Sequence, residues 1–132
     1  MLRFLLDTNL CIRVLRDRTA SLREKFNLEA DSLAISTMVL TELLHGAAKS
    51  ARPDANRREV ENFAARLEVL SFDVAAAHHA ADIRATLERQ GRAIGGYDIL
   101  IARHARSRAL IVVAGNRGEF DRVPGLQCED WG

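Results

Sequence analysis

The sequence predicts a three-layer α/β/α domain with helices on both faces of a mostly parallel central sheet. Three observations predict it. Apolar runs too short for helices recur at Leu2–Leu6, Leu33-Ala34-Ile35 and Leu110-Ile111-Val112-Val113. Between them lie longer stretches whose apolar residues fall at helical spacing. The run Leu110–Val113 shows no polar alternation, as expected of a strand covered on both sides.

Taken in order, four of the five residues Leu2–Leu6 are large and apolar, giving a first buried strand. It breaks at Asp7-Thr8-Asn9, where Asp7 or Asn9 suits the cap of a short helix over Leu10–Asp17. A second helix starts at Thr19 or Ser21, with Leu22, Phe26 and Leu28 inward. Leu33–Ile35 is the second strand, and Ser36-Thr37 caps a helix carrying Val39, Leu40, Leu43, Leu44 and Ala47 on one stripe. Pro53 suits the first turn of an amphipathic helix over Asp54–Leu67. Glu68–Phe72 reads as a third strand. Asp73 caps an alanine-rich helix to about Gln90, which Gly91 ends. Gly95-Gly96 opens a helix from Tyr97 to about Arg108. Leu110–Val113, a turn at Gly115–Gly118 and a weak edge strand at Leu126-Gln127-Cys128 complete the chain.

The 132 residues, 48% hydrophobic and 28% charged, suit a single domain spanning 1–132 with a real core. A net charge of +1 excludes a bulk polycation, so nucleic-acid binding must come from a local patch. Lys25 and Lys49 are the only lysines among 19 basic residues, a bias that a GC-rich genome explains along with the many alanines. Cys11 and Cys128 make no disulfide framework, and no run is long enough to span a membrane. These features predict a soluble protein of the reducing cytoplasm.

The acids carry the chemistry. Asp7 ends the first strand, at the edge where open α/β sheets bind ligands. Asp98 has Ile101, Ala102 and Ala105 as its face-mates on a helix, a small apolar surround that suits a carboxylate only if it is paired or metal-bound. A helix-dipole role explains its first-turn position, worth about 0.3–1 kcal/mol, but not that surround. Glu42 lies near the edge of its apolar stripe, where glutamate is ordinary. Asn116 and Glu119 follow the best strand, where Asn and Gly also serve turns. Three carboxylates and an amide converging on one cleft need cations. An all-oxygen set selects Mg²⁺ or Mn²⁺, ions suited to phosphodiester hydrolysis. The adjacent His78 and His79, with Asp82 one turn on, point about 100° apart and make a poor metal site. His45 and His104 have no evident partner, and Trp131 reads as packing.

With these acids placed, the chain resembles PIN-domain ribonucleases of the VapC toxin type. The matching pieces are Leu5-Leu6-Asp7-Thr8-Asn9, Ile35-Ser36 leading to Thr41-Glu42-Leu43, Ile94-Gly95-Gly96-Tyr97-Asp98, Ile101–Ala105 and Glu129-Asp130-Trp131. Their order and spacing cover the whole chain. The resemblance implies a Mg²⁺-dependent endoribonuclease (Mn²⁺ a substitute) with metal-binding acids at Asp7, Glu42 and Asp98. Asn116 or Glu119 stands nearest the family's variable fourth position. It also implies a structured RNA substrate (tRNA or ribosomal RNA), a homodimer, and a cognate antitoxin that silences the enzyme within a larger complex. One departure stands out: Ala114-Gly115 occupy positions where the family has a hydroxyl and then Asn or Asp.

Two other readings stay open. A phospho-receiver domain is also α/β and Mg²⁺-binding, with Asp73 as its phosphorylated acid. It requires an acid pair at Asp7 and a late lysine, and the sequence has neither. A PIN-fold binding module without catalysis would also accommodate Ala114-Gly115.

Overall fold

The computed structural model describes residues 1–16, 20–91, 96–114, 118 and 120–131, with the backbone alone at 20 and 96–99. Strands β1 (Phe4–Leu6), β2 (Leu33–Ser36), β3 (Glu68–Leu70), β4 (Ile111–Ala114) and β5 (Cys128–Asp130) form one sheet in the order β3-β2-β1-β4-β5. Every pairing is parallel, so the mostly parallel sheet is wholly parallel among the described residues. The central strand β1 is buried at all three positions, and β4 at three of four.

Among the described residues the helices are α1 (Thr8–Arg16), α2 (Ala20–Leu28), α3 (Thr37–Ala48), α4 (Pro53–Ala65), α5 (Val74–Arg89) and α6 (Gly96–Ser107). Strand order steps outward from β1 to β3, then jumps back across the sheet to β4. Right-handed crossovers therefore place α1–α4 over one face and α5 and α6 over the other. Packing agrees: α1 meets α2, α3 and α4, while α5 packs along α6. The direction of winding changes between β1 and β4, and the crevice at their carboxyl ends is where such sheets take ligands.

Local signals explain most boundaries. Ser36 Oγ accepts the Met38 N–H at 3.1 Å and starts α3. Pro53 opens α4 at its first turn. Asp73 Oδ1 accepts the Ala76 N–H at 2.9 Å, and Gly91, at φ +66°, follows the end of α5.

Some expectations shift. Helix α1 starts at Thr8, two residues before the expected Leu10, because Asp7 caps it. Strand β1 spans Phe4–Leu6 only, although Arg3 already joins the ladder through Ser32 and Ile111. Strand β5 is Cys128–Asp130 and not Leu126–Cys128, since Cys128 is the residue opposite Val112 in register. Short 3₁₀ turns at Ala30–Ser32 and Phe120–Arg122 have no apolar period to announce them. Thr19, offered as a helix start, and the turn residues Gly115–Arg117 lie outside the described residues.

The core is one continuous cluster running from Phe26 and Phe63 through the sheet to Ile83 and Leu87. Trp131 belongs to it, edge-on to Phe4 at 5.3 Å, so it packs as expected. No helix among the described residues is long and apolar enough to cross a membrane.

Candidate active site

Asp7 sits at the carboxyl end of β1, beside the winding reversal. Its backbone N–H donates to Val113 O at 3.0 Å, extending the β1–β4 ladder by one bond. Its Oδ1 accepts the Leu10 N–H at 2.8 Å. Asp7 therefore does cap the helix, and the cap fixes the direction of its carboxyl group. The side chain is only 4% exposed. Burial pushes its pKa up to about 6. The Leu10 N–H pulls it down, and the neighbouring Glu42 charge pushes it up again.

Glu42 reaches this point from the second turn of α3. Thr8, the first residue of α1, donates its hydroxyl to Glu42 Oε2. Two adjacent residues, Asp7 and Thr8, thus bring the end of β1 and the flank of α3 together. Thr8 had no separate role in the sequence-based reading, and the only local signal for it is its place after Asp7.

Asp98 is the third residue of α6, in its first turn. Its expected face-mates Ile101, Ala102 and Ala105 are all buried. Asn116 and Glu119 lie outside the described residues. Ala114 ends β4 fully buried, one position beyond the Leu6–Val113 pair, and contributes only a methyl.

Other candidates have structural partners or no partner at this site. Asp73 serves as the α5 cap, so its carboxylate already has a structural partner. His79 Nδ1 accepts from Arg106 Nε at 3.1 Å, and Arg106 also pairs with Asp82 and donates to Pro124 O at 3.2 Å. These residues form a clasp between α5 and α6. His45 is exposed on the last turn of α3. His104 is fully buried, edge-on to Phe72 at 5.6 Å. Burial lowers its pKa; the Ser71 backbone lies near enough to favour the protonated ring but outside hydrogen-bond geometry.

A family model described as "PIN domain" matches residues 4–126. The chain belongs to the PIN-domain family. It is 51% identical to the tRNA(fMet)-specific endonuclease VapC of Shigella flexneri over 131 residues, covering 99% of both chains. The crystal structure of DNA-bound VapBC from Salmonella typhimurium superposes at TM-score 0.97, with 48% identity and complete coverage of both chains. VapBC2 from Rickettsia felis, bound to a promoter DNA fragment, matches at TM-score 0.94 and 33% identity over 99% of this chain and 100% of that one.

PIN-domain nucleases generally depend on a divalent metal. The described donors suit one. Asp7 and Glu42 offer only oxygen, and burial with the nearby Asp7 charge pushes the Cys11 thiol well up, which keeps sulfur out of the set. Asp7 and Glu42 are the two carboxylates brought together here, and no group of three metal-binding side chains is assembled among the described residues. A raised Asp7 pKa beside a second acid marks a place where a cation is favourable, because a cation relieves both the repulsion and the lost hydration.

Proposed function

We propose that residues 1–132 act as one PIN-like domain, a metal-dependent endoribonuclease toxin that cuts a structured RNA. The observation that carries this reading is the buried carboxyl group of Asp7 at the sheet's winding reversal, near enough to Glu42, the partner of Thr8, for that charge to raise its pKa. Asp7, Glu42 and Asp98 would hold Mg²⁺, for which Mn²⁺ would substitute, with Asn116 or Glu119 as the family's variable fourth position. Bound there, the cation supplies a nucleophilic water and neutralises charge on the scissile phosphate. The chain's own work is positioning. Leu10 N–H orients Asp7, and the Thr8 hydroxyl holds Glu42 so that both carboxylates meet the ion without a search of rotamers. The names of the similar VapC proteins make a tRNA the first substrate to test.

An acid-lined cleft is also a dock for an arginine, which pairs bidentately with carboxylates. A cognate antitoxin that places an Arg-bearing segment there silences the enzyme, as the VapBC composition of the similar structures suggests. The free enzyme is a homodimer, and with antitoxin it joins a larger complex in the cytoplasm.

The test is cleavage of a total tRNA pool by the purified chain, with ends mapped. Site-specific cuts in Mg²⁺ that vanish in excess EDTA and return with Mg²⁺ or Mn²⁺ are expected. Undiminished cutting in EDTA would remove the metal from the mechanism. A folded chain that cuts nothing in either ion would leave a binding module.

A further inference from the structure

A cavity of about 170 Å³ opens directly beside Glu42, between α1, α3 and α4. A larger groove of about 400 Å³ between α1, α2 and α4 does not include Glu42 among its walls. The smaller cavity has apolar sides from Leu15, Leu43 and Val60, and its polar groups are Ser50, Asn56, Arg16 and two carboxylates, Glu42 and Glu59. Its volume is that of roughly half a dozen liquid water molecules, the scale of one flat ring system and too little for a helix.

Gly46 sets how open the cavity is beside the acid. It stands four residues after Glu42 on α3, so the two share a face. A Cβ built on Gly46 meets nothing within 4 Å, and Gly46 borders the cavity. No packing demand accounts for a glycine inside this helix, where alanine is more stable. Its missing side chain leaves the cavity open one turn from the acid. At the far end, Asn56 Nδ2 donates to Ser50 Oγ at 2.8 Å, and Ser50 Oγ donates to Ala47 O at 2.6 Å. The amide is therefore fixed in orientation, with Oδ1 and its second Nδ2 hydrogen left over. A paired acceptor and donor of that kind matches the edge of a base. Arg16, exposed at the end of α1, provides a guanidinium for the backbone phosphate at the mouth.

We propose that this cavity is a nucleobase subsite that seats a base flanking the scissile phosphate, stacked between the apolar walls and read by Asn56. The proposal rests on the ribonuclease reading above and deepens it. A splayed base in single-stranded RNA offers both a stacking face and an open edge, which is how proteins read RNA sequence. A base held here fixes the register of the backbone over Asp7 and Glu42.

The experiment has two arms. In the first, amide NMR signals of Gly46 and Asn56 are followed as the four nucleoside 5′-monophosphates are added, with ribose 5-phosphate as the baseless control. Shifts with one or two of the nucleotides, absent with ribose 5-phosphate and absent in Gly46→Leu, are expected. In the second, Gly46→Leu, Gly46→Ala and Asn56→Leu are compared with wild type on the tRNA transcript that the wild type cuts. Gly46→Leu should lose about 10- to 100-fold in kcat/KM, Gly46→Ala less, and Asn56→Leu should change the base found at the cut. If Gly46→Leu does not fold, Asn56→Leu and the shift data decide. Wild-type cutting by both Leu variants without base-dependent shifts overturns the subsite and leaves the ribonuclease intact. Base-dependent shifts in a chain that cuts no RNA leave the subsite and overturn the ribonuclease. A Gly46→Leu enzyme that cuts normally but escapes its antitoxin makes the cavity a protein seat and overturns the proposal.

Discussion

Two aspartates in this molecule have opposite fates. Asp82, exposed on α5, has the Arg106 guanidinium beside it, which holds its carboxyl below the usual range. Asp7, buried at the end of β1, faces another carboxylate and is held above that range. The Arg106 clasp also takes in His79 and the Pro124 carbonyl, so it ties α5, α6 and the approach to β5. One acid is neutralised within the fold and serves packing. The other is left for something from outside to neutralise. That difference, more than the number of acids on a surface, separates a structural ion pair from a binding edge.

Asp7→Asn strikes the contrast hardest. Asparagine still caps a helix but carries no charge. RNA cleavage should fall about 10³-fold or more, as when one member of a catalytic unit is lost. The folded, metal-free variant should gain on the order of 1–3 kcal/mol at neutral pH. The sign follows from the raised pKa. Folded wild type binds the Asp7 proton more tightly than unfolded chain, so it loses stability as pH rises from about 4 to about 6. The Tm gap between variant and wild type should therefore open across that window and narrow below it. A gap that ignores pH would contradict the buried charge.

Asp98→Asn, read by the same pair of measurements, should also abolish cleavage while keeping the fold. The double variant with Asp7→Asn should be hardly worse than either single, because residues acting as one unit are not additive. Additive losses would separate Asp98 from Asp7.

Thr8→Val removes the hydroxyl that holds Glu42 and keeps the side-chain shape. Cleavage should drop about 10- to 100-fold, the usual cost of losing an orienting partner. Stability should fall by about 1 kcal/mol. Unchanged kcat/KM would make the Thr8–Glu42 bond incidental.

Arg106→Ala tests the other region. It should cost about 1–2 kcal/mol, read as Tm, through the lost clasp, with cleavage within about twofold of wild type. A large loss of activity with a small loss of stability would tie the clasp to the active edge. Asp82→Asn should have the smallest effect. Its lowered pKa gives a contribution present above the unfolded value and lost as pH falls through the folded one, so any Tm difference should vanish in acid.

The strands and helix starts were legible because their causes are local. Ser36, Pro53 and Asp73 act on backbone groups within three residues, and their positions in the chain announce them. The edge strand was displaced by two residues because its register is set by Val112 on β4 and not by its own composition. Asp7 was legible as an acid at a strand end. Its opposition to Glu42 was not, since Glu42 lies 35 positions away on an ordinary-looking helix and Thr8 gives no sign of its partner. Asp98 was legible as an acid on a face shared with Ile101, Ala102 and Ala105, and those three residues are buried. His79 looked like half of an unfavourable metal pair, and only the arrival of Arg106 from α6 shows what it does.

By itself, then, the sequence determined the period of each element, the caps, the three-layer class and the family pattern of acids. Tertiary structure decided which charges are compensated. Compensation depends on what stands within a few ångströms after the chain has crossed the sheet, and on how much water remains there. Asp7 and Asp82 are the same residue type with the same intrinsic pKa. Burial beside Glu42 and exposure beside Arg106 make them opposites.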